Sequence, residues 1–250
     1  MAANVSFGGC GFLLAFHVGV AKYFRRRGVL TASSRFAGAS GGALVAASLA
    51  YDVPLARVLD ETKYTARAIH HDLATHKRFD LSRYVAHHID TLFPDPLPVH
   101  ATDRLVVATT ELWPRVRIVH WTRFVSKAQL TDRLLLSCHV PWYFNGTVAR
   151  RVAAADGTAT AWHADGGLLT FVPAVDDHVN VNVFPTWWDR ASTISPAWIP
   201  GFPVSSVQLV RWALLPPSND MLDQFAAWGE EAAAAWEASS MAKTNMGQMQ

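Results

Sequence analysis

A serine that attacks an ester needs a sharp turn, small neighbours and nearby donors for the developing oxyanion. Gly38-Ala39-Ser40-Gly41-Gly42 offers the first two. This is a G-x-S-x-G run, and its small residues permit strained dihedrals and close approach by substrate. A helix starting at once behind Ser40 would add backbone N–H groups and the positive end of its dipole. The same five residues could also form a glycine-rich turn for tight strand–helix packing, so the flanks matter. Residues 35–39 read as a short strand and residues 43–51 as a helix, the setting a nucleophile requires.

Gly8-Gly9-Cys10-Gly11 follows another short strand, Val5-Ser6-Phe7, and opens an apolar helix over residues 12–27. Such a loop can cradle an anion with its N–H groups. A dinucleotide fingerprint would need glycine at position 14, where Leu14 stands, and an acidic residue ending the second strand, where Ser40 stands. No nucleotide cofactor is therefore expected. Two adjacent parallel strands would place the loop beside the serine, where it fits an oxyanion hole better than a cofactor site. In that role the backbone of Cys10 matters more than its thiol. Asp165-Gly166-Gly167 ends a third short strand, and its glycines allow a sharp turn. A Ser-Asp-His triad would have to use His178, the one histidine downstream of Asp165, which falls inside a predicted strand.

These three motifs in this order resemble the patatin-like phospholipases, most closely the adipose triglyceride lipase and adiponutrin branch. Residues 6–13, 38–42 and 165–167 carry the resemblance. The segments 137–141 and 213–217 add to it, and it spans residues 5–236. It implies a three-layer α/β/α fold with a mainly parallel central sheet, read as one domain over 5–236. It implies a Ser-Asp dyad without histidine, in which Ser40 is the nucleophile and Asp165 the base. Gly9, Cys10 and Gly11 would supply the oxyanion hole. Gly38, Gly42, Gly166 and Gly167 would shape the turns. Substrates would be glycerolipid esters, cleaved through an acyl-enzyme without metal or other cofactor. Two other functions share these residues: an acyltransferase, and a catalytically weak relative that binds lipid or a protein partner. The branch commonly continues past the aspartate with an Asp-Asn segment before proline. Leu168-Leu169-Thr170-Phe171-Val172-Pro173 stands here instead, so an orienting side chain for Asp165 is missing.

The elements that must hold these residues are legible as periodicity. Leu55, Val58, Leu59, Thr62, Ala66, Ile69 and Leu73 recur at helical spacing after Pro54. A shorter helix capped by Asp80 carries Leu81, Tyr84, Val85, Ile89 and Leu92. Strands are expected at 105–109, 116–121, 161–163 and 178–184, and helices at 127–137, 204–215 and 219–236. Residues 237–250 read as a disordered tail.

Composition narrows the function further. The chain has 250 residues, half of them apolar, and a formal charge of +2 from 22 Lys+Arg against 20 Asp+Glu. That bias is too weak for nucleic-acid binding. Arg25-Arg26-Arg27 reads as the solvated last turn of a helix. The histidines at 70, 71, 76, 87 and 88 lack ligand spacing and read as solvated helix faces, so no metal is expected. The two cysteines suit a reducing compartment. No basic leader opens the chain and no apolar run would span a bilayer. A cytoplasmic protein with peripheral contact to membranes or lipid droplets is expected. Trp187, Trp188, Trp198, Ile199 and Phe202 crowd the loop 185–203, either as a lipid-touching tip or folded over the core.

Overall fold

The computed structural model describes residues 3–99, 103–153, 160–169, 172–173, 178–186 and 192–247, with side chains as far as Ser240. The chain opens with β1 (Asn4–Phe7), a 3-10 turn (Gly11–Leu13), α1 (Leu14–Arg26), β2 (Phe36–Ala39) and α2 (Gly41–Ala50). Two longer helices follow, α3 (Leu55–His76) and α4 (Leu81–Leu92). Then come β3 (Leu105–Trp113), β4 (Arg117–Trp121), α5 (Lys127–Ser137), β5 (Arg150–Ala153), β6 (Thr160–Ala164), β7 (His178–Val181) and β8 (Thr193–Ile194). A second 3-10 turn (Pro196–Trp198), α6 (Ser206–Leu214) and α7 (Asn219–Gly247) end the described chain.

One sheet runs in the order β5-β6-β3-β2-β1-β7-β8, with β4 also paired to β3. The pairs β1–β2, β1–β7, β2–β3 and β7–β8 are parallel, and β4, β5 and β6 add antiparallel pairs. The expected mainly parallel α/β sheet is present. Its register aligns Val5, Phe36 and Leu105 in one row and Phe7, Gly38 and Val107 in the next. Cross-strand partners share a face, so the large apolar side chains all point one way, into the main core. The other face carries Ser6 and Asn180 beside a small apolar pair, Ala37 and Val106. Gly38 lies on the large-residue face, which lets α2 rest directly on the strands.

Helix starts follow local capping chemistry. Asp80 accepts from Ser82 N, Ser126 from Gln129 N and Ser205 from Gln208 N. Helix α7 corrects the expected tail: the polar stretch from Glu237 stays helical to Gly247. Two of its acidic residues are paired with α1 and its end. Glu237 accepts from Tyr23 (2.7 Å) and Arg27 (3.0 Å), and Glu230 pairs with Arg26 (2.7 Å). Arg26 and Arg27 thus clamp α1 to α7 instead of only facing water. Strands β5 and β8 gave no readable pattern. The first is a half-exposed edge with two arginines, and the second is two residues long inside a proline-rich loop.

That loop folds over the core, where three of its bulky residues are described. Ile199 is buried, Trp198 donates from Nε1 to Thr193 O (2.9 Å), and Phe202 packs edge-on against Trp228 at 5.0 Å. These three are not a lipid-touching tip. Trp187 and Trp188 lie outside the described residues.

Candidate active site

The sheet register itself brings Ser40 and Asp165 together. Strand β4 occupies one edge of β3 from Val107 to Glu111. Strands β2 and β6 must therefore share the other edge. Strand β2 ends with Ala39 opposite Ala108, and antiparallel β6 ends with Ala164 opposite Thr110. The two strands run toward each other, and the next residue of each is Ser40 and Asp165. The third component arrives from β1, whose parallel pairing with β2 sets the loop at Gly9, Cys10 and Gly11 beside the same strand end.

Ser40 sits at φ 53°, ψ −131°, a left-handed conformation that a side chain adopts at a cost. The turn holds because its neighbours have no room for a side chain. A Cβ on Gly42 would stand 2.4 Å from Gly8 O, and one on Gly38 2.4 Å from Gly42 O. A Cβ on Gly41 would meet Gly11 O at 2.6 Å and Cys10 Sγ at 2.9 Å. Loop and turn are therefore in backbone contact. Among the described residues, no backbone hydrogen bond is made by the N–H groups of Gly9, Cys10 or Gly11.

Ser137 was not singled out from the sequence as a site residue. It lies fully buried at the end of α5, accepts from Ser40 N (2.9 Å) and donates to Ala108 O (2.7 Å). It ties the strained turn to β3. Only its place in the 137–141 segment could have signalled it. The same helix end holds the aspartate loop: Asp165 N donates to His139 O (2.8 Å) and Gly166 N to Ser137 O (3.0 Å). Gly166 is pressed so closely on β3 that a Cβ would be 2.3 Å from Ala108 O. Gly167 N donates to Asp165 Oδ1 (2.7 Å). The turn thus orients its own carboxylate, and the Asp-Asn segment missing after Gly167 is not needed for that task.

Asp165 is 4 % exposed, and its Oδ2 has no aligned partner among the described residues. Burial raises its pKa to about 6, against smaller opposing pulls from the Ser40 hydroxyl and Gly167 N–H. Cys10 and Cys138 are buried and burial pushes both thiols up, which leaves them poor nucleophiles.

Among the described residues, neither His178 nor His88 pairs with Asp165. His178 starts β7 opposite Asn4, at the end of the sheet away from Ser40. His88 was expected on a solvated face but is 4 % exposed. It lines the same cleft, yet only burial and His87 shift its titration, with no contribution from Asp165. His71, His76 and His87 are exposed as expected, and His70 contacts Pro216 O at 2.9 Å. Among the described residues no group of three or more His, Cys, Asp or Glu could hold a metal.

Ser40, Asp165 and the glycine loop open into a cleft of about 220 Å³. Its walls are largely apolar, with Phe12, Leu14, Leu44, Val85, Val140 and Phe184 among them. Such a cleft can take an acyl chain and desolvate a reacting ester.

The sequence is similar to several known proteins. The chain is 26% identical over 191 residues to the mouse 1-acylglycerol-3-phosphate O-acyltransferase Pnpla3, covering 75% of this chain and 44% of that protein. It is 29% identical over 146 residues to human patatin-like phospholipase domain-containing protein 2, covering 56% and 28% respectively. The chain thus spans less than half the length of these relatives. The crystal structure of VipD from Legionella pneumophila aligns at 13% identity and a TM-score of 0.44, over 76% of this chain and 51% of that one. Residues 5–177 match the family described as patatin-like phospholipase, a span that runs from β1 past Asp165. On that match the chain belongs to the patatin-like phospholipase family.

Proposed function

We propose that this chain is a serine acyl hydrolase of glycerolipid esters, working through a Ser40–Asp165 dyad. The observation that carries the reading is the strained Ser40 turn beside a buried carboxylate whose pKa stands near 6, at the mouth of an apolar cleft. Asp165 Oδ2 takes the Ser40 hydroxyl proton as Oγ attacks the ester carbonyl. N–H groups of Gly9, Cys10 and Gly11 stabilise the oxyanion. Collapse of the tetrahedral adduct expels the alcohol, which receives the proton from Asp165. Water, deprotonated by the same carboxylate, then releases the fatty acid. The test is fatty-acid release from triacylglycerol and phosphatidylcholine by the purified chain. Release that disappears in Ser40→Ala supports the proposal, and no release from any glycerolipid contradicts it.

The name of the mouse relative favours one second reading, transfer of the acyl group to an alcohol in place of water. Among the described residues lining the cleft there is no Lys or Arg to receive an acceptor's phosphate, which supports hydrolysis.

Lipid contact belongs to the rim of the cleft in this proposal. No described helix is long and apolar enough to cross a membrane. Val207, Val210 and Leu214 share one face of α6 and are 80 %, 50 % and 41 % exposed. Ala213 of that helix and Leu168 line the cleft itself, and Leu168, Leu169 and Trp142 are exposed too. A large apolar side chain moved out of water contributes roughly 1.5–3 kcal/mol. Replacing Val207 and Val210 with Ser should weaken co-sedimentation with phosphatidylcholine vesicles by at least about tenfold at an unchanged melting temperature. Unaltered co-sedimentation would place lipid contact elsewhere.

A further inference from the structure

One wall of the cleft is built by α3 and α4, and it is less apolar than the rest. Thr62, Thr65, Tyr84 and His88 all line it. Two of these polar groups are satisfied within the protein. Thr62 Oγ1 donates to Val58 O (2.7 Å), the usual fate of a helical threonine, and Tyr84 donates to Asp72 Oδ2 (2.6 Å). The other two are not. Thr65 Oγ1 and His88 Nε2 are buried and have no hydrogen-bond partner among the described residues. Thr65 is 6 % exposed and His88 4 %. Buried polar atoms are nearly always paired, so two orphans in one small cavity call for an occupant.

The chemistry of that occupant follows from the pair. His88 is held neutral by burial, with a pKa near 4, so its ring has one bare nitrogen and one N–H at neutral pH. Thr65 can give or take a proton in a hydrogen bond. An unsubstituted acyl chain offers neither group anything. A hydroxyl can donate to one and accept from the other.

We propose that Thr65 and His88 form a polar subsite in the acyl cleft that recognises a hydroxyl on the substrate. The hydroxyl is carried either by the acyl chain or by a partial glyceride. This rests on the hydrolase reading for its substrate class, while the subsite itself can be tested without turnover.

Two kinetic arms distinguish the sources. One compares p-nitrophenyl esters of plain and hydroxylated fatty acids; the other compares a monoacylglycerol with the methyl ester of the same acid. At least one arm should show a kcat/KM preference of about tenfold for the hydroxylated substrate, the worth of one good hydrogen bond. The preference should vanish in Thr65→Val/His88→Phe. If the double variant folds poorly, Thr65→Val alone carries the test, because it removes only a hydroxyl at constant shape. A binding arm uses Ser40→Ala protein and displacement of a fluorescent fatty acid, where hydroxystearate should compete about tenfold better than stearate if the acyl chain is the source. Ester turnover with no preference in either kinetic arm, or a preference that survives Thr65→Val and the double variant, would overturn the subsite. Discrimination in the binding arm without any turnover would uphold the subsite and sink the hydrolase reading instead.

Discussion

Asp165→Asn should lower ester turnover by roughly 10²–10⁴, the usual contribution of a positioned base. The amide keeps an oxygen to accept from Gly167 N, so the turn is retained and only proton transfer is lost. His178→Ala should have little effect, since that residue stands at the far end of the sheet. The wild-type pH profile carries the same signature. The base must be ionised, and burial sets its pKa near 6. kcat/KM should therefore be low at pH 5, half-maximal near pH 6 and flat above about 7. Stability should move the opposite way. Below the ordinary carboxylate value of 3.8 the folded and unfolded chains are both protonated at this site. Above pH 6 the folded chain holds a buried charge that costs roughly 3 kcal/mol. Asp165→Asn should thus melt higher than wild type at pH 7, with the difference gone below pH 4. A pH-independent melting difference, or equal damage from His178→Ala in folded protein, would contradict the proposed base.

Ser40→Ala should remove ester turnover altogether while leaving the fold intact, because the Ser137 bond to its N–H does not need the side-chain oxygen. Strain gives a second comparison at this position. Alanine inherits the left-handed conformation that costs about 1–3 kcal/mol, whereas glycine adopts it freely. Ser40→Gly should therefore melt above Ser40→Ala, with both inactive in ester-hydrolysis assays. Residual turnover in either folded variant would remove Ser40 from the chemistry.

The parts of this site that were readable in the sequence are those where chemistry demands particular residues close together. Gly11, Gly38, Gly41, Gly42 and Gly166 mark backbone contacts that no side chain could enter, and each was visible within a short run. Their assembly was not visible, because it depends on β2 and β6 meeting head-on along β3, a register no local pattern encodes. Ser137 escaped for a related reason: one hydroxyl at a helix end looks ordinary until two other strands supply its partners. His88 was misjudged because its neighbour His87 is exposed, and adjacent residues on a helix face different ways. The stretch from Glu237 looked unpatterned, yet Glu237 accepts from the Tyr23 hydroxyl and the Arg27 guanidinium, more than two hundred residues away.

Fluorophosphonate labelling followed by peptide mass mapping tests the central claim most directly, since the reagent reports an activated serine without any choice of lipid. The account predicts a single phosphonylated peptide containing Ser40. Labelling should slow by orders of magnitude in Asp165→Asn and rise through pH 6 in the wild type. A folded protein that takes no label at Ser40, or that labels equally fast without the Asp165 carboxylate, would contradict it.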